Sequence, residues 1–418
     1  MEGLAVELFK VVTIDEAMKL IASHTQTGQG RTETATLTGA LGRRLGAAIL
    51  SPVDVPGFSR STVDGFAVMA RDTFGASEGL PAYLTVVGEV LMGTAPDTGF
   101  GSGQAVKIST GGMLPPGADA VVMVEYTENL DAGTIGVTRP VAPGENVVRK
   151  GEDVAAGEVV LPEGHVLRPQ DLGILAGVGV SAVEVAALAR VGLISTGDEV
   201  VPPEAEPGPG QVRDINSYAL YGMVAANGGE GTIYGLIKDR FDDLKSALGQ
   251  ALGENDMVLV SGGSSVGTRD MTAQVIQSLG NPGVLFHGMS LRPGKPTIGA
   301  VVHGKPVFGL PGHPVSAMMV CQLLVAPLVR FGAYPPERDR GAFPVSARLT
   351  RNLASGTGRE DYVRVRLEWE NGELVAHPIL GKSGLISTMV KAHGLIRIPL
   401  DKEGITAGDT VKVYLFEN

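Results

Sequence analysis

The stretch from about residue 178 to residue 332 constrains the fold most, because short apolar runs alternate there with helical patterns. ARVGLIS, TIYGLI, DMVLVS and KPVFGL read as buried strands. DINSYALYGMVAANG, FDDLKSALGQALGEN and MTAQVIQSLG read as the helices between them, and VSAMMVCQLLVAPLVRFG as the last helix. This alternation predicts a doubly wound α/β domain with a parallel-rich sheet and helices on both faces. Ligands of open parallel sheets bind beyond the carboxyl ends of the strands.

The loops at those ends are polar and rich in glycine. Ser195-Thr196-Gly197-Asp198-Glu199 follows the first strand and Asp239 follows the second. Ser261-Gly262-Gly263-Ser264-Ser265-Val266-Gly267 and Leu310-Pro311-Gly312-His313-Pro314 each run into a helix. Such loops let backbone N–H groups approach a phosphate or a pterin, and the helix N-terminus favours the negative charge. Neither a Walker A pattern nor GxGxxG is present, and a tight turn that needs glycine for packing explains any one loop. Their repetition at successive strand ends favours a ligand site. Asp198, Glu199, Asp239 and Asp270 could hold magnesium beside a phosphate. Each alone could equally be a helix cap or a solvated acid. Ser290–Pro296 sets Arg292 and Lys295 in a proline-stiffened loop, which suits an anion or is a plain surface turn. His313 reads mainly as structural.

The flanking regions differ. Thr13 and Glu16 have capping-box spacing ahead of a helix with Ile14, Ala17, Met18 and Ile21 on one face. From about 48 to 165, LTVVGEV, ADAVVMVEY and TIGVT are separated by Gly, Pro and Asp, as in a small β module. Its turn with Asp64 and its strand end with Thr110 read as structural on composition. After Pro335-Pro336, YVRVRLEW and ELVAHPIL flank Asn371-Gly372, a hairpin signal in a small barrel or sandwich. There Arg364 and Arg366 share a strand face, and Ser383 and Ser387 lie near the start of a helix SGLISTMVKAH. These could bind an oxyanion or form a solvated face.

Composition narrows the class. At roughly 150 residues per domain, 418 residues imply about three domains. The 59 glycines have no strict period, which excludes collagen. The net charge of −11 argues against a general binder of nucleic acid or anionic membranes. Cys321, the single cysteine, excludes an internal disulfide and reads as a buried small hydrophobe. No signal peptide and no run of about 18 apolar residues is evident, so the cytoplasm is the expected location.

STVDGFA, KISTGGMLPPGADAVVMVE, RKGEDV, STGDEV, SGGSSVGTRD, RPGKP and LPGHPVSA occur in the order and spacing of the molybdopterin molybdenumtransferases. Over roughly Val12 to Leu415 the chain resembles this family, the bacterial MoeA type with the E domain of gephyrin. The resemblance implies insertion of molybdenum from molybdate into adenylylated molybdopterin, with Mg2+-dependent release of AMP. It implies four domains: an elongated linking domain (27–50 and 151–177), a β-rich domain (51–150), an α/β molybdopterin-binding domain (1–26 and 178–332) and a C-terminal β-barrel-like domain (333–418). It also implies a homodimer with sites between subunits, and molybdopterin adenylyltransferase and molybdoenzyme chaperones as partners, with no nucleic acid and no membrane. Matched by motif, Asp64, Thr110, Glu199, Asp239 and Asp270 would be catalytic, with Glu199 and Asp270 on the metal. Gly262, Gly263, Ser264, Ser265, Arg292, Lys295, Pro311, Pro314, Ser316, Arg364 and Ser383 would bind the substrates. His313 stands where the family often has Asn, Arg292 where it often has Lys, Ser264 where Val is usual, and Gly288 where some members carry a lysine. These departures bear on oxyanion affinity and on molybdate against tungstate. An adenylylating enzyme of related loop pattern and a scaffold protein are the competing readings.

Overall fold

The computed structural model describes residues 11–25, 31–96, 99–131, 133–262, 266–334 and 344–416, and of 266–269 only the backbone. The chain forms two compact units. One combines Met1–Arg31 with Ala187–Asn418, and the other is Thr32–Ala186.

The first unit holds the predicted α/β domain. Its helix α1 (Ile14–His24) starts at the expected capping box: Glu16 N–H donates to Thr13 Oγ1, and Thr13 N–H donates to the Glu16 carboxylate at 2.8 Å. The sheet uses β1 (Arg190–Thr196), β2 (Glu230–Ile237), β3 (Met257–Ser261), β4 (Pro282–His287), β5 (Ile298–Val302) and β6 (Lys305–Leu310). Their spatial order is β2-β1-β3-β6-β5-β4. The first four are parallel, and β5 and β4 complete the sheet antiparallel.

Both faces are covered. On one, α1, α2 (Asn216–Ala226) and the run 314–331 bury a core with Leu193, Leu259 and Phe308. On the other, α3 (Phe241–Glu254) and α4 (Val266–Leu279) pack on Ile194, Val258, Val260 and Val307. Successive strand residues therefore serve opposite cores, and that is why these strands read as continuous apolar runs.

Pro314–Phe331 comes nearest to a membrane-spanning run, though Ser316, Gln322 and Arg330 interrupt it. This run of 18 residues has a mean hydropathy of 1.6 and is long and apolar enough to cross a membrane. It is 61% buried inside its own unit, so it is a core helix. It consists of α5 (Pro314–Val320), one wide turn over Cys321–Val325 and α6 (Ala326–Phe331). Cys321 is 1% exposed and burial pushes its thiol up to about 12, so it is inert as a nucleophile.

The tail of the same unit closes a barrel. Its strands are β7 (Val345–Leu349), β8 (Glu360–Glu370), β9 (Glu373–Pro378), β10 (Gly394–Ile398) and β11 (Thr410–Leu415). β8 pairs with β9 and β10, β7 with β9 and β11, and β10 with β11, so the ladder returns on itself. Asn371 and Gly372 take φ of 50° and 81°, as the β8–β9 hairpin requires. The expected helix SGLISTMVKAH shrinks to one turn, Ser387–Val390, which leaves Ser383 outside any helix.

In the second unit, a six-stranded mixed sheet carries Phe66, Leu84 and Val122 on one side and Ala67, Val106 and Val121 on the other. A further core gathers Leu45, Leu161, Leu175 and Val185, where Thr32–Thr36 pairs antiparallel with Ala182–Ala186.

Leu259 lies at 0% exposure on β3, between β1 and β6. Leu259→Ala is expected to cost about 2–5 kcal/mol, read as a lower urea midpoint for the first unit in the full chain. A loss within about 0.5 kcal/mol, the range of ordinary surface changes, would contradict the buried position.

Candidate functional site

The parallel register sets the ends of β1 and β3 level, with Ser195 opposite Ser261. Just beyond, the chains press together. A Cβ on Gly262 would collide with the Thr196 hydroxyl and carbonyl oxygens, so only glycine fits. Gly197 is crowded in the same way by Glu199 and Val200. Gly262 is therefore demanded by the close approach of the Thr196 backbone, and Gly197 by its positive φ of 142° and the side chains of Glu199 and Val200.

Asp239, after β2, lies within electrostatic reach of two exposed acids after β1, Asp198 and Glu199. Burial and the negative charges of Asp198 and Glu199 raise the Asp239 carboxyl above the ordinary range, partly offset by a hydrogen bond from Thr196. Asp239 Oδ1 is buried and has no hydrogen-bond partner among the described residues, and the same holds for Asp270 Oδ1 on α4. Crowded carboxylates with unpartnered buried oxygens are what a divalent cation neutralises, so the residues present fit magnesium.

Two residues that sequence reading passed over organise the same edge. Asn216, 8% exposed at the start of α2, donates from Nδ2 to Ser261 Oγ at 2.6 Å and to the Gly312 carbonyl at 2.9 Å. It thus ties the end of β3 to the loop after β6, while its Oδ1 has no partner among the described residues. Asp214 accepts from Ser195 Oγ at 3.4 Å and from Ser217 N–H at 3.1 Å. The available signal was DINS itself, polar residues opening a helix that otherwise faces the core.

The remaining cations and hydroxyls meet where the barrel joins this edge. Leu291–Arg292 pairs with Glu360–Asp361 on β8, so the Arg292 loop is held by the barrel. The Arg292 guanidinium lies 3.9 Å from the Asp361 carboxylate, and Lys295 is exposed. Arg364 does not sit on a solvated face. It is 6% exposed, donates from Nη2 to the Gly381 carbonyl at 3.1 Å, and has a buried Nε without a partner among the described residues. Arg366, two residues on, is exposed. Ser383 Oγ lies 3.0 Å from His313 Nδ1, and its carbonyl accepts from Val315 N–H. Pro311, Pro314 and Ser316 are buried around that loop.

Gly263, Ser264 and Ser265 lie outside the described residues. Asp64 and Thr110 belong to the second unit, where Thr110 donates to Asp64 Oδ1 from its backbone N–H at 2.8 Å and its hydroxyl at 3.2 Å. Gly65 after that acid is forced, because a Cβ would strike the Val122 carbonyl on the paired strand. Elsewhere on the barrel, Glu368, Glu370 and His377 cluster within 4.8 Å. Arg366 already pairs with Glu368 at 2.9 Å and His377 reaches Glu370 at 3.0 Å, so that group is a self-neutralised surface network.

The chain matches three family models in order: the MoeA N-terminal region (domain I and II) over residues 12–179, the "Probable molybdopterin binding domain" over 192–330, and the MoeA C-terminal region (domain IV) over 346–416. It is 32% identical over 408 residues to the molybdopterin molybdenumtransferase of Bacillus subtilis, covering 97% of this chain and 94% of that one. Its identity with the molybdopterin molybdenumtransferase of Haemophilus influenzae is 33% over 396 residues, covering 93% and 95%. Among solved structures it is similar to the molybdopterin biosynthesis MoeA protein of Pyrococcus horikoshii OT3, with a TM-score of 0.84, 34% identity and coverage of 97% and 100%.

The raised Asp239 carboxyl has a consequence for stability. Its contribution is fully present below the ordinary carboxyl range and is lost as pH rises through the raised value. Asp239→Asn is therefore expected to melt above wild type at pH 7 without divalent metal, and the gap is expected to close below about pH 4. Added Mg2+ should raise the wild-type melting temperature more than the variant's. A variant that melts at or below wild type at pH 7 would contradict the crowded-carboxylate arrangement.

Proposed function

Because the chain belongs to the MoeA family, we propose that it is a molybdopterin molybdenumtransferase, which transfers molybdenum from molybdate into adenylylated molybdopterin and releases AMP. The single observation that carries this reading furthest is the acid cluster of Asp198, Glu199 and Asp239 at the strand ends of the α/β unit, with buried unpartnered oxygens on Asp239 and Asp270. The bond that breaks is the phosphoanhydride joining AMP to the molybdopterin phosphate, and the attacking oxygen comes from molybdate or from a water it activates.

Glu199 and Asp270 would hold Mg2+, with Asp239 beside them, and when bound the ion supplies charge neutralisation at the diphosphate. Gly262 and the glycine-serine residues after it would present backbone N–H groups to the phosphates. Arg292 and Lys295 would hold the oxyanion from the proline-stiffened loop, and Arg364, Ser383 and Ser316, between Pro311 and the barrel, would complete its pocket. Asp64 and Thr110 would border the site from the partner subunit of a homodimer. The four-domain division, a cytoplasmic location, and exchange of substrate and product with an adenylyltransferase and with molybdoenzyme chaperones belong to the same reading.

The decisive assay is AMP release from adenylylated molybdopterin with Mg2+, comparing molybdate, tungstate and no oxyanion. Oxyanion-dependent release is the expected result, and the preferred oxyanion identifies the metal. ATP consumption with pyrophosphate release instead would mark the adenylylating step. Neither binding nor cleavage by the folded chain would mark a scaffold. Asp270→Asn and Glu199→Gln are each expected to slow AMP release on the order of 100-fold, about 2.7 kcal/mol of lost transition-state stabilisation, with unchanged melting behaviour. Wild-type turnover in both would sink the metal assignment.

A further inference from the structure

We propose that His313 is a positioning residue that fixes the barrel segment around Ser383 against the strand-end loop of the α/β sheet, and so sets oxyanion affinity. The proposal rests on the function given above and deepens it.

The His313 loop is anchored from beneath. The carbonyl of Gly312 accepts from Asn216 Nδ2, and Asn216 also holds Ser261 at the end of β3. From this fixed base the imidazole Nδ1 lies 3.0 Å from Ser383 Oγ, while Val315 N–H donates to the Ser383 carbonyl at 3.1 Å. Ser383 is thus gripped at its side chain by His313 and at its backbone by the next turn. The other end of the segment is held by Arg364, through Nη2 to the Gly381 carbonyl. The stretch 381–386 that carries these anchors contains Gly381 and Gly384 and includes no helix or strand, the helical turn starting at Ser387. A glycine-flanked segment of this kind keeps its place only through its tethers.

Arg364 makes the placement matter. Its buried guanidinium keeps Nε unpartnered among the described residues, so it is a cation with a donor to spare beside this segment. An oxyanion received there would need the Ser383 hydroxyl at a fixed distance from that donor. Only the hydrogen bond to Ser383 is asked of His313, and a carboxamide can make it. Either group satisfies the tether, whereas alanine removes it.

The test is the molybdate dependence of AMP release for wild type, His313→Ala, His313→Asn, Ser383→Ala and the double alanine variant. His313→Ala is expected to raise the half-saturating molybdate concentration about tenfold, the loss of one hydrogen bond. Its maximal rate and its dependence on adenylylated molybdopterin should stay within about twofold of wild type. His313→Asn should restore the wild-type value, and the double variant should be no worse than the poorer single one. An unchanged His313→Ala, an Asn variant as impaired as the Ala variant, or additive losses would each overturn the proposal. Calorimetric titration with molybdate alone separates the two levels. If wild type releases no AMP yet the same ranking of molybdate affinities appears, the tether stands and the reaction assignment falls. If AMP release is oxyanion-dependent and the affinities are equal, the tether falls alone.

Discussion

Everything at the candidate site depends on how closely two strand ends approach. Gly262 and Thr196 are pressed together so tightly that no side chain fits between them, and Gly197 is packed against Glu199. This contact and the parallel register bring the first and third loops of the sheet level. Asp198, Glu199 and Asp239 then crowd each other, which is costly for isolated carboxylates. The sheet beneath can bear that cost, because its strands feed two apolar cores and cannot easily slip: a one-residue shift would exchange every buried side chain between faces. An apolar base buried on both faces carries a polar rim.

The barrel extends that rim. Its closure leaves no free strand edge among its five strands, and it meets the α/β sheet through the pairing of Leu291–Arg292 with β8 and through Tyr362, which packs on the α/β core. Arg292 is carried on a strand pair with Glu360–Asp361, and Ser383 is held by the loop after β6. Arg292 and the Ser383 hydroxyl are thereby held where the barrel joins the α/β sheet. Under the proposed function, a chain with a net charge of −11 would bind its anion through these few local groups and not through a basic surface.

Much of this was legible in the sequence for stated physical reasons. Strands buried on both faces leave continuous apolar runs such as MVLVS, and helix starts leave cap residues such as Thr13. Asn371-Gly372 announced its hairpin because few other pairs adopt left-handed backbone so readily. What could not be read was tertiary in origin. Asn216 looks like an ordinary helix residue until Ser261 and Gly312 arrive from distant parts of the chain. Arg364 shares the alternation of Arg366, yet only one of the two is covered, because burial on a barrel depends on what lies outside each strand. The segment after Gly381 has helical periodicity, but it runs as turns tied by hydrogen bonds from Arg364 and Val315, and only Ser387–Val390 becomes helical. Pro314–Phe331 has the length and hydropathy of a membrane span, and only its burial against the sheet shows otherwise.

The first unit is discontinuous. Its chain departs at Arg31 and re-enters at Ala187, where the Ala187 N–H donates to the Arg31 carbonyl. Helix α1 is therefore made first on the ribosome, while the strands it must cover emerge only after some 155 intervening residues, Thr32 to Ala186, have been translated. With synthesis at about 5–20 residues per second, its apolar stripe of Ile14, Ala17, Met18 and Ile21 waits on the order of ten seconds for a partner. During that interval the inserted unit has all of its own sheet in hand. Nascent-chain order thus runs opposite to spatial order: the middle of the polypeptide is complete before its beginning has anything to rest on.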